Sequence, residues 1–306
     1  MKLSVVIPVY NEEEVIKKFY DKLKETLENI NYELLFIDDG SKDNSLNILK
    51  NIYEEDKKNV RIISFSRNFG KEAAMYAGLK KSRGLYTVII DADLQQNPKY
   101  ILEMMDFLDN NKDYDVTCMK QNSKRFFQNK FYKIMKKSSN LDLVEGASDF
   151  RMFRRQVVES IISLSEKDRF SKGIFSWVGY KTYYKDYIVE TRKGGKSKWN
   201  FTKLSRYALD GIINFSTFPL RIPTILGIVS CSLSLLYLLF VLIMLIVKTD
   251  INFSVSIIAA LIFFASGIQL LCISIIGEYL YKVFNETKNR PLYIEKEKIG
   301  FDESIL

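Results

Sequence analysis

Two long runs without a charged residue most constrain what this chain can fold into. They cover residues 222–247 and 253–276, and each is about 25 residues long, whereas about 20 apolar residues suffice to cross a bilayer. Only a short polar segment separates them. The pattern predicts a transmembrane helical hairpin rather than a pair of core helices, because core helices rarely stay free of charge over such a length.

Lysine and arginine residues crowd both flanks of this hairpin and predict its orientation. Cationic flanks stay in the cytoplasm by the positive-inside rule. The flanking cations are Lys196, Lys198, Lys203, Arg206, Arg221, Lys282, Lys288 and Arg290. We therefore expect a multi-pass protein of the cell membrane, with its large domain and both termini in the cytoplasm.

Composition divides the chain into four parts. We predict a large domain over residues 1–199, an amphipathic helix over 200–218, the membrane hairpin within 219–280 and a mixed-charge cytoplasmic tail over 281–306. The predicted helix repeats apolar residues at helical spacing directly before a membrane run, which is typical of a helix in the membrane interface. An ordinary surface helix of the large domain is the alternative.

The net charge of +8 suits either a nucleic acid or an anionic membrane. A basic stretch at residues 120–137 interleaves aromatic side chains with lysine and arginine, and both partners favour such a pattern. Beside a membrane hairpin, we interpret the charge as attraction to anionic lipid headgroups. We expect membrane lipids as partners and no nucleic acid.

Four short apolar runs, each followed by a polar cluster and a helical pattern, fill the chain before residue 100. This repeat predicts an α/β domain with a mostly parallel sheet and helices on both faces. In each unit the polar cluster falls at the carboxyl end of the strand. Because ligands bind at the carboxyl ends of such strands, the clusters are expected to line one crevice.

The fourth apolar run ends at two carboxylates, Asp91 and Asp93. The chain has neither a glycine-rich dinucleotide fingerprint after its first strand nor a P-loop, so any phosphate group must be neutralised by other means. It also has no histidine, which favours an oxygen-held ion, Mg²⁺ or Mn²⁺, over zinc. The two aspartates are the predicted ligands.

Seven motifs in chain order carry a family resemblance: VVIPVYNEE, DDGSKDNS, RNFGKEAAMYAGL, DADLQ, SDFRMF, RFSKGIFSWVGY and RKGGKSKW. Ahead of a two-helix hairpin, they closely resemble the family 2 glycosyltransferases that act on polyprenyl phosphates. Bactoprenol glucosyltransferases and, more distantly, dolichol-phosphate mannose synthases are such enzymes. The resemblance covers residues 3–276.

The resemblance implies a GT-A fold, a nucleotide-diphosphate sugar donor, a divalent metal and inversion at the anomeric carbon. It implies transfer from a UDP-sugar to undecaprenyl phosphate at the cytoplasmic membrane face, giving a lipid-linked monosaccharide for cell-envelope glycosylation. Glucose is the sugar that the family suggests, and N-acetylglucosamine and galactose stay open. A homo-oligomer also stays open.

The same resemblance implies roles for individual residues. The expected donor-site residues are Pro8, Tyr10, Glu12, Asp39, Lys71, Asp91 and Gln95, with Asp91 and Asp93 as the metal ligands. The expected binders of the acceptor phosphate are Arg192, Lys196 and Lys198. The relatives usually carry arginines after the strand at Val116, where this chain offers only Lys120, Lys124 and Arg125 as substitutes.

Asp93 and Asp149 are the predicted catalytic residues. The second pKa of a phosphate monoester is about 6, so the acceptor is largely a dianion at neutral pH and already a nucleophile. We therefore expect Asp149, which precedes a predicted helical stretch, to orient the acceptor phosphate or the sugar, with base catalysis secondary.

Two other readings of the chain stay open. A processive polysaccharide synthase would share the sugar-donor domain, but such enzymes usually carry a Gln-x-x-Arg-Trp motif and several more membrane helices. A catalytically silent membrane scaffold is the second alternative, and the retained aspartates argue against it.

Overall fold

The computed structural model of the protein describes residues 1–121, 143–187 and 255–301, with single positions between 223 and 236. Eight strands and seven helices lie in these ranges. In chain order they are β1 (Leu3–Val9), α1 (Ile16–Leu27), β2 (Tyr32–Asp38), α2 (Ser45–Glu55), β3 (Val60–Phe65), α3 (Lys71–Lys81), β4 (Tyr86–Ile89), α4 (Lys99–Asn110), β5 (Val116–Gln121), β6 (Ala147–Arg154), α5 (Arg155–Ser163), α6 (Ser171–Trp177), β7 (Thr182–Tyr187), α7 (Val255–Thr287) and β8 (Glu295–Ile299).

The eight strands form one sheet in the order β7-β5-β6-β4-β1-β2-β3-β8. Strands β1 to β4 are mutually parallel, and β5 is parallel to β7. Strand β6 runs antiparallel to both β4 and β5, and β8 runs antiparallel to β3. The predicted α/β fold with a mostly parallel sheet is confirmed.

Helices cover the sheet on both faces, which explains why β2 is buried along its whole length. One core contains apolar residues of α1, α2 and α4, and the other contains those of α3, α5 and α6. Helix α3 approaches β1 so closely that a Cβ atom on Gly78 would lie 2.2 Å from Cγ1 of Val6. Only glycine allows this contact, which fixes the height of α3 above the sheet.

The end of the chain differs from the expected tail over 281–306. Strand β8 pairs with β3 and extends the sheet, with Ile62 opposite Ile299. The ring of Tyr293 stacks on Phe65 with 4.7 Å between their centroids. The segment EKEKI belongs to the stretch that we predicted as a mixed-charge tail. Charged side chains are common on an edge strand because they discourage further pairing.

Helix α7 contains the second predicted membrane run. Within the described residues, Ala265–Thr287 is the one helical stretch long and apolar enough to cross a membrane. Its mean hydropathy is 1.3, and its apolar part is not buried against the rest of the protein. The run at 222–247 and the predicted helix at 200–218 lie almost wholly outside the described residues. Within the described residues the structure therefore shows one such helix, and the hairpin stays a prediction.

Candidate functional site

The loops after β1 and β2 are tied together at the carboxyl edge of the sheet. The backbone N–H of Glu12 donates to Oγ of Ser45 at 2.8 Å, and Oδ1 of Asn11 accepts from the N–H of Lys42 at 2.8 Å. Pro8 pairs with Ile37 near the end of β1. Three of the seven predicted donor-site residues, Pro8, Tyr10 and Glu12, therefore lie beside the end of β2. A fourth, Asp39, directly follows that strand.

Asp39 joins the end of β2 to the loop before α3. It is 3% exposed, and its carboxylate accepts the N–H of Phe69 at 2.6 Å and that of Gly70 at 2.9 Å. Burial raises its pKa to about 6, even though these two N–H groups favour the ionised form. The adjacent Gly40 has φ +64°, and a Cβ there would lie 2.5 Å from the carbonyl carbon of Arg67. A side chain at Gly40 would therefore displace the loop that Asp39 holds.

The turn after β4 presents alternate residues to the crevice. Asp91, Asp93 and Gln95 are partly accessible, whereas the three residues Ala92, Leu94 and Gln96 are buried. Leu94 has φ +61°, an uncommon conformation for a branched residue. The N–H of Gln95 donates to Oδ1 of Asp93 at 3.1 Å. The predicted trio thus shares one side of a tightly constrained turn.

Gln96 holds the first aspartate in place, a role that we did not predict from the sequence. Its Oε1 accepts the backbone N–H of Asp91 at 3.0 Å, and its Nε2 donates to Oδ2 of Asp91 at 3.2 Å. The side chain is 6% exposed. The paired glutamines in DADLQQ were the available signal, but only the turn geometry separates the outward Gln95 from the inward Gln96.

Lys71 connects two carboxylates that are far apart in sequence. At the start of α3, its Nζ lies 2.7 Å from Oδ1 of Asp91 and 2.9 Å from Oδ2 of Asp149. Burial favours the neutral amine, but the charges of Asp149 and Asp91 outweigh burial and raise the pKa of Lys71. Lys71 therefore carries a positive charge between the end of β4 and the middle of β6.

Asp149 lies in β6, and the predicted helical stretch through Val157 and Ile161 follows it as α5, which begins at Arg155. Burial by itself would raise the pKa of this carboxyl group. The positive charges of Lys71, Lys172 and Arg151, with the hydrogen bond from Lys71, outweigh burial and hold the pKa well below its usual range. A carboxylate with so low a pKa is a poor proton acceptor, which agrees with an orienting role.

A second carboxylate beside this group was also missed. Glu72 follows Lys71 in α3, and its Oε2 accepts the N–H of Ser171 at 3.0 Å and a short hydrogen bond from the hydroxyl of Ser171. Burial and the negative charge of Asp149 raise the pKa of Glu72 to about 7, against the bonds from Ser171. The contact fixes the start of α6 against the start of α3.

The predicted acceptor-phosphate residues have a different outcome. Arg192, Lys196, Lys198, Lys124 and Arg125 all lie outside the described residues. Lys120 is described as part of β5. Their predicted role stays a prediction. The described cations beside Asp149 are instead Lys71, Arg151 and Lys172.

The residues present fit the divalent ion that the family implies. Asp91 and Asp93 are partly exposed on the same side of one turn, and carboxylate oxygens are the ligand type that Mg²⁺ and Mn²⁺ take. Nζ of Lys71 contacts both oxygens of Asp91. Within the described residues no group of three or more His, Cys, Asp or Glu gathers around a point. The pair of Asp91 and Asp93 suits Mg²⁺, because proteins commonly bind this ion through one or two carboxylates together with substrate phosphates.

Similar proteins span the whole chain. It is 39% identical over 303 residues to a prophage bactoprenol glucosyl transferase homolog of Escherichia coli K12, covering 97% of this chain and 99% of the relative. It is 39% identical over 305 residues to the bactoprenol glucosyl transferase of Shigella phage SfII, covering 97% and 98%. An uncharacterized glycosyltransferase of Synechocystis is 38% identical over 316 residues, covering 99% and 97%.

Solved structures resemble the catalytic domain more distantly. A crystal structure of a mycobacterial protein matches with a TM-score of 0.50 and 16% identity, covering 69% of this chain and 72% of that one. At this identity the likeness concerns the fold alone. The predicted GT-A type of α/β fold is confirmed.

A family model described as glycosyl transferase family 2 matches residues 4–162. The match includes the four aspartates of the site, Asp39, Asp91, Asp93 and Asp149. The relatives above agree with this match over nearly the full chain. The predicted family is thereby confirmed, and the protein belongs to glycosyl transferase family 2.

Proposed function

We propose that this enzyme transfers a sugar, with inversion, from a UDP-sugar to a polyprenyl phosphate at the cytoplasmic face of the cell membrane. One observation carries the proposal most directly: Lys71 contacts both Asp91 and Asp149. A single cation thus joins the turn expected to hold the donor diphosphate to the strand expected to meet the acceptor. The bactoprenol glucosyl transferase names of the relatives support the same reaction.

On the donor side, the loops after β1 and β2 would bind the uridine. Pro8, Tyr10, Glu12 and Asp39 lie at that edge, and Asp39 also fixes the backbone that leads to Lys71. Preorganised groups of this kind need no rearrangement when charge develops in the transition state.

The turn after β4 would bind the diphosphate. Asp91 and Asp93 would hold Mg²⁺ or Mn²⁺, which when bound neutralises negative charge on the leaving diphosphate. Gln95 lies on the same side of the turn, and Gln96 keeps Asp91 in position. Lys71 adds a fixed positive charge beside Asp91.

On the acceptor side, the chemistry requires placement more than proton removal. The acceptor phosphate is largely dianionic at neutral pH, and Asp149 is held ionised by neighbouring cations. Asp149 would therefore orient the sugar or Lys71 while the phosphate oxygen attacks the anomeric carbon in line with the departing UDP. Arg192, Lys196, Lys198, Lys124 and Arg125 would supply further positive charge to the acceptor.

The apolar helices would place the enzyme at its lipid substrate. Helix α7 has the length and hydropathy to cross the bilayer, and we propose that residues 222–247 form a second span. The amphipathic residues 200–218 would lie in the interface, which leaves both termini in the cytoplasm. The return of β8 to the sheet supports a cytoplasmic carboxyl terminus, because β3 belongs to the catalytic domain.

Glucose and undecaprenyl phosphate are the substrates that we propose. Both follow from the names of the relatives, and N-acetylglucosamine or galactose would require a different fit around the sugar hydroxyl groups. A screen of labelled UDP-sugars against undecaprenyl phosphate distinguishes them.

The test of the proposal is transfer by membranes that contain the full-length protein, incubated with radiolabelled UDP-glucose. Label should enter the organic phase as a lipid-linked sugar. Asp93→Asn should reduce this transfer by about 100-fold or more, because it removes an expected ligand of the ion that stabilises the leaving group. The protein should still insert into the membrane.

Asp113→Asn is the matched control, because Asp113 has an 84% exposed side chain far from the turn after β4. It should transfer sugar at the wild-type rate. Near-normal transfer by Asp93→Asn would show that the assignment of the ion site is wrong. Label in an insoluble polymer would instead favour a polysaccharide synthase, and no incorporation of any UDP-sugar would favour a silent scaffold.

A further inference from the structure

We infer that a cleft between α7 and the catalytic domain binds the phosphate headgroup of an anionic membrane phospholipid. The cleft has a volume of about 1060 Å³ and lies where β3 and α7 both end. Its lining does not include Lys71, Asp91 or Asp149, so it is separate from the proposed transfer site. The inference rests on the membrane placement of α7 proposed above.

One face of α7 is polar although the helix as a whole is apolar. Its residues in the cleft are Ser274, Gly277, Glu278, Tyr281, Asn285 and Lys288. Apart from the adjacent pair Gly277 and Glu278, they follow one another at intervals of three or four positions, which places them on the same side of a helix. Other positions carry exposed apolar side chains such as Leu270, Ile273 and Leu280. The polar face therefore points toward the catalytic domain and leaves the apolar faces for lipid tails.

The cleft has an excess of positive charge. Within the described part of the chain, Arg67, Lys288 and Arg290 form no ion pair with a carboxylate. Arg67 lies over the ring of Phe69 at 4.1 Å, and Lys288 lies over that of Phe284 at 4.1 Å. Nη1 of Arg67 also donates to the carbonyl oxygen of Asn68 at 3.0 Å, so its remaining guanidinium N–H groups and the ammonium group of Lys288 are the donors that an anion would use.

Most acidic side chains around the cleft already form an ion pair or a hydrogen bond within the protein. Nζ of Lys282 contacts Oδ2 of Asp168 at 2.6 Å, and the backbone N–H of Lys167 donates to Oε1 of Glu286 at 2.8 Å. Glu278 is the remaining acid of the lining, and it lies nearly three turns before Lys288 on α7. Positive charge therefore dominates at the end of the helix, and these same contacts hold that end against the domain.

The position of these cations matches the height of lipid headgroups. A helix rises 1.5 Å per residue, so the polar face from Ser274 to Lys288 is about 21 Å long. If α7 crosses the bilayer, its cationic end lies at the cytoplasmic surface, where basic pockets bind anionic headgroups. Tyr281 and Asn285 add hydrogen-bond donors just below them.

We assign the cleft to a bulk phospholipid rather than to the acceptor. The N–H groups of Phe69 and Gly70 donate to Asp39, so this loop contributes its backbone to the donor site and the side chains of Arg67 and Phe69 to the cleft. A lipid held there would keep α7 and the loop together without entering the transfer site.

The test uses the full-length protein and the double variant Lys288→Gln and Arg290→Gln. After reconstitution with phosphatidylglycerol and phosphatidylcholine, native mass spectrometry measures the phosphatidylglycerol that stays bound. Two cations near an anionic headgroup predict a loss of retention of about 10-fold to 30-fold. Transfer of sugar in purely neutral vesicles should equal that of the wild type, because neither residue lies in the transfer site.

Lys24→Gln with Lys58→Gln is the matched control, since it removes the same charge from an open groove at the opposite, amino edge of the sheet. It should retain phosphatidylglycerol like the wild type. Equal retention by the Lys288 and Arg290 variant would overturn the inference. A raised KM for polyprenyl phosphate in neutral vesicles would also overturn it, because the cleft would then serve the acceptor.

The outcomes separate this inference from the proposed function. Lipid retention is measured without any UDP-sugar, so it stands even if the wild type transfers no sugar to lipid. Release of the wild-type protein from membranes by alkaline carbonate would overturn both the membrane placement of α7 and the lipid site.

Discussion

Two carboxylates on opposite edges of the same sheet, the buried Glu33 and the partly exposed Asp149, show how one kind of ion pair can serve structure or chemistry. Glu33 is fully buried near the amino edge, where it accepts bonds from Ser4 at 2.6 Å, from Arg61 at 2.7 Å and from the N–H of Arg83 at 2.9 Å. Its partners satisfy both oxygens, and the site has one cation for one acid.

The group around Asp149 has the opposite character. Its side chain is 20% exposed, its cation Lys71 is shared with Asp91, and Lys172 and Arg151 add positive charge. Within the described residues, neither Lys172 nor Arg151 forms an ion pair with a carboxylate of its own. The difference teaches that a carboxylate surrounded by more cations than it can pair with, at the ligand-binding edge, is a better sign of function than burial alone.

The largest expected effect on stability lies at the amino edge. Arg61→Met should lower the free energy of unfolding by about 3 kcal/mol, because it leaves the buried charge of Glu33 without its cation. Denaturant unfolding in detergent measures the change. The molecules that remain folded should transfer sugar at the wild-type rate.

The double variant Glu33→Gln with Arg61→Met sharpens this expectation. Removing both charges should recover most of the lost stability, since no uncompensated charge remains. If the double variant were as unstable as the single one, the pair would act through packing rather than charge.

The matching change at the carboxyl edge should affect activity more than stability. Lys71→Met should reduce sugar transfer by about 100-fold or more, the loss typical when one group that stabilises developing charge is removed. The unfolding free energy should fall less than in Arg61→Met, because the side chains of Asp91 and Asp149 are 28% and 20% exposed and reach water. Transfer assays and denaturant unfolding of the same preparations compare the two edges.

Lys71→Met with Asp149→Asn should not recover transfer, in contrast to the double change at Glu33. Recovery would mean that Lys71 only balances charge, and the comparison between the two edges would fail.

The smallest expected effect is a pH dependence of stability from Glu72. Its pKa is about 7 in the folded protein and 4.5 when unperturbed. Between these values the folded protein holds a proton that the unfolded chain has released, so stability falls as pH rises through this window. Glu72→Gln removes the titrating group and with it this loss of stability. The apparent thermal midpoint of the variant should therefore rise relative to that of the wild type between about pH 5 and pH 8.

Glu54→Gln is the control for this measurement, because Glu54 has a 65% exposed side chain and pairs with Lys57 in a surface contact. It should follow the wild type at every pH. An equal pH dependence in wild type and Glu72→Gln would show that Glu72 stays ionised despite its burial.

The sequence alone determined the fold class and the family. Alternating strands, polar clusters and helices predicted the mostly parallel sheet, because the period of the apolar residues is a local property. The motifs around Asp39, Asp91 and Asp93 identified the family for the same reason: each is a short run of neighbouring residues with its own chemistry. Long uncharged runs likewise predicted a membrane span, of which α7 is the described part.

Only the tertiary structure decided which distant residues meet. Lys71 and Asp149 are 78 positions apart and belong to different elements, so no local pattern shows that one ammonium group joins Asp149 to Asp91. Glu72 with Ser171 and β8 with β3 are equally remote. Such contacts depend on strand order and on the approach of α3 to the sheet, which are set by packing of the whole domain and not by any single stretch of the chain.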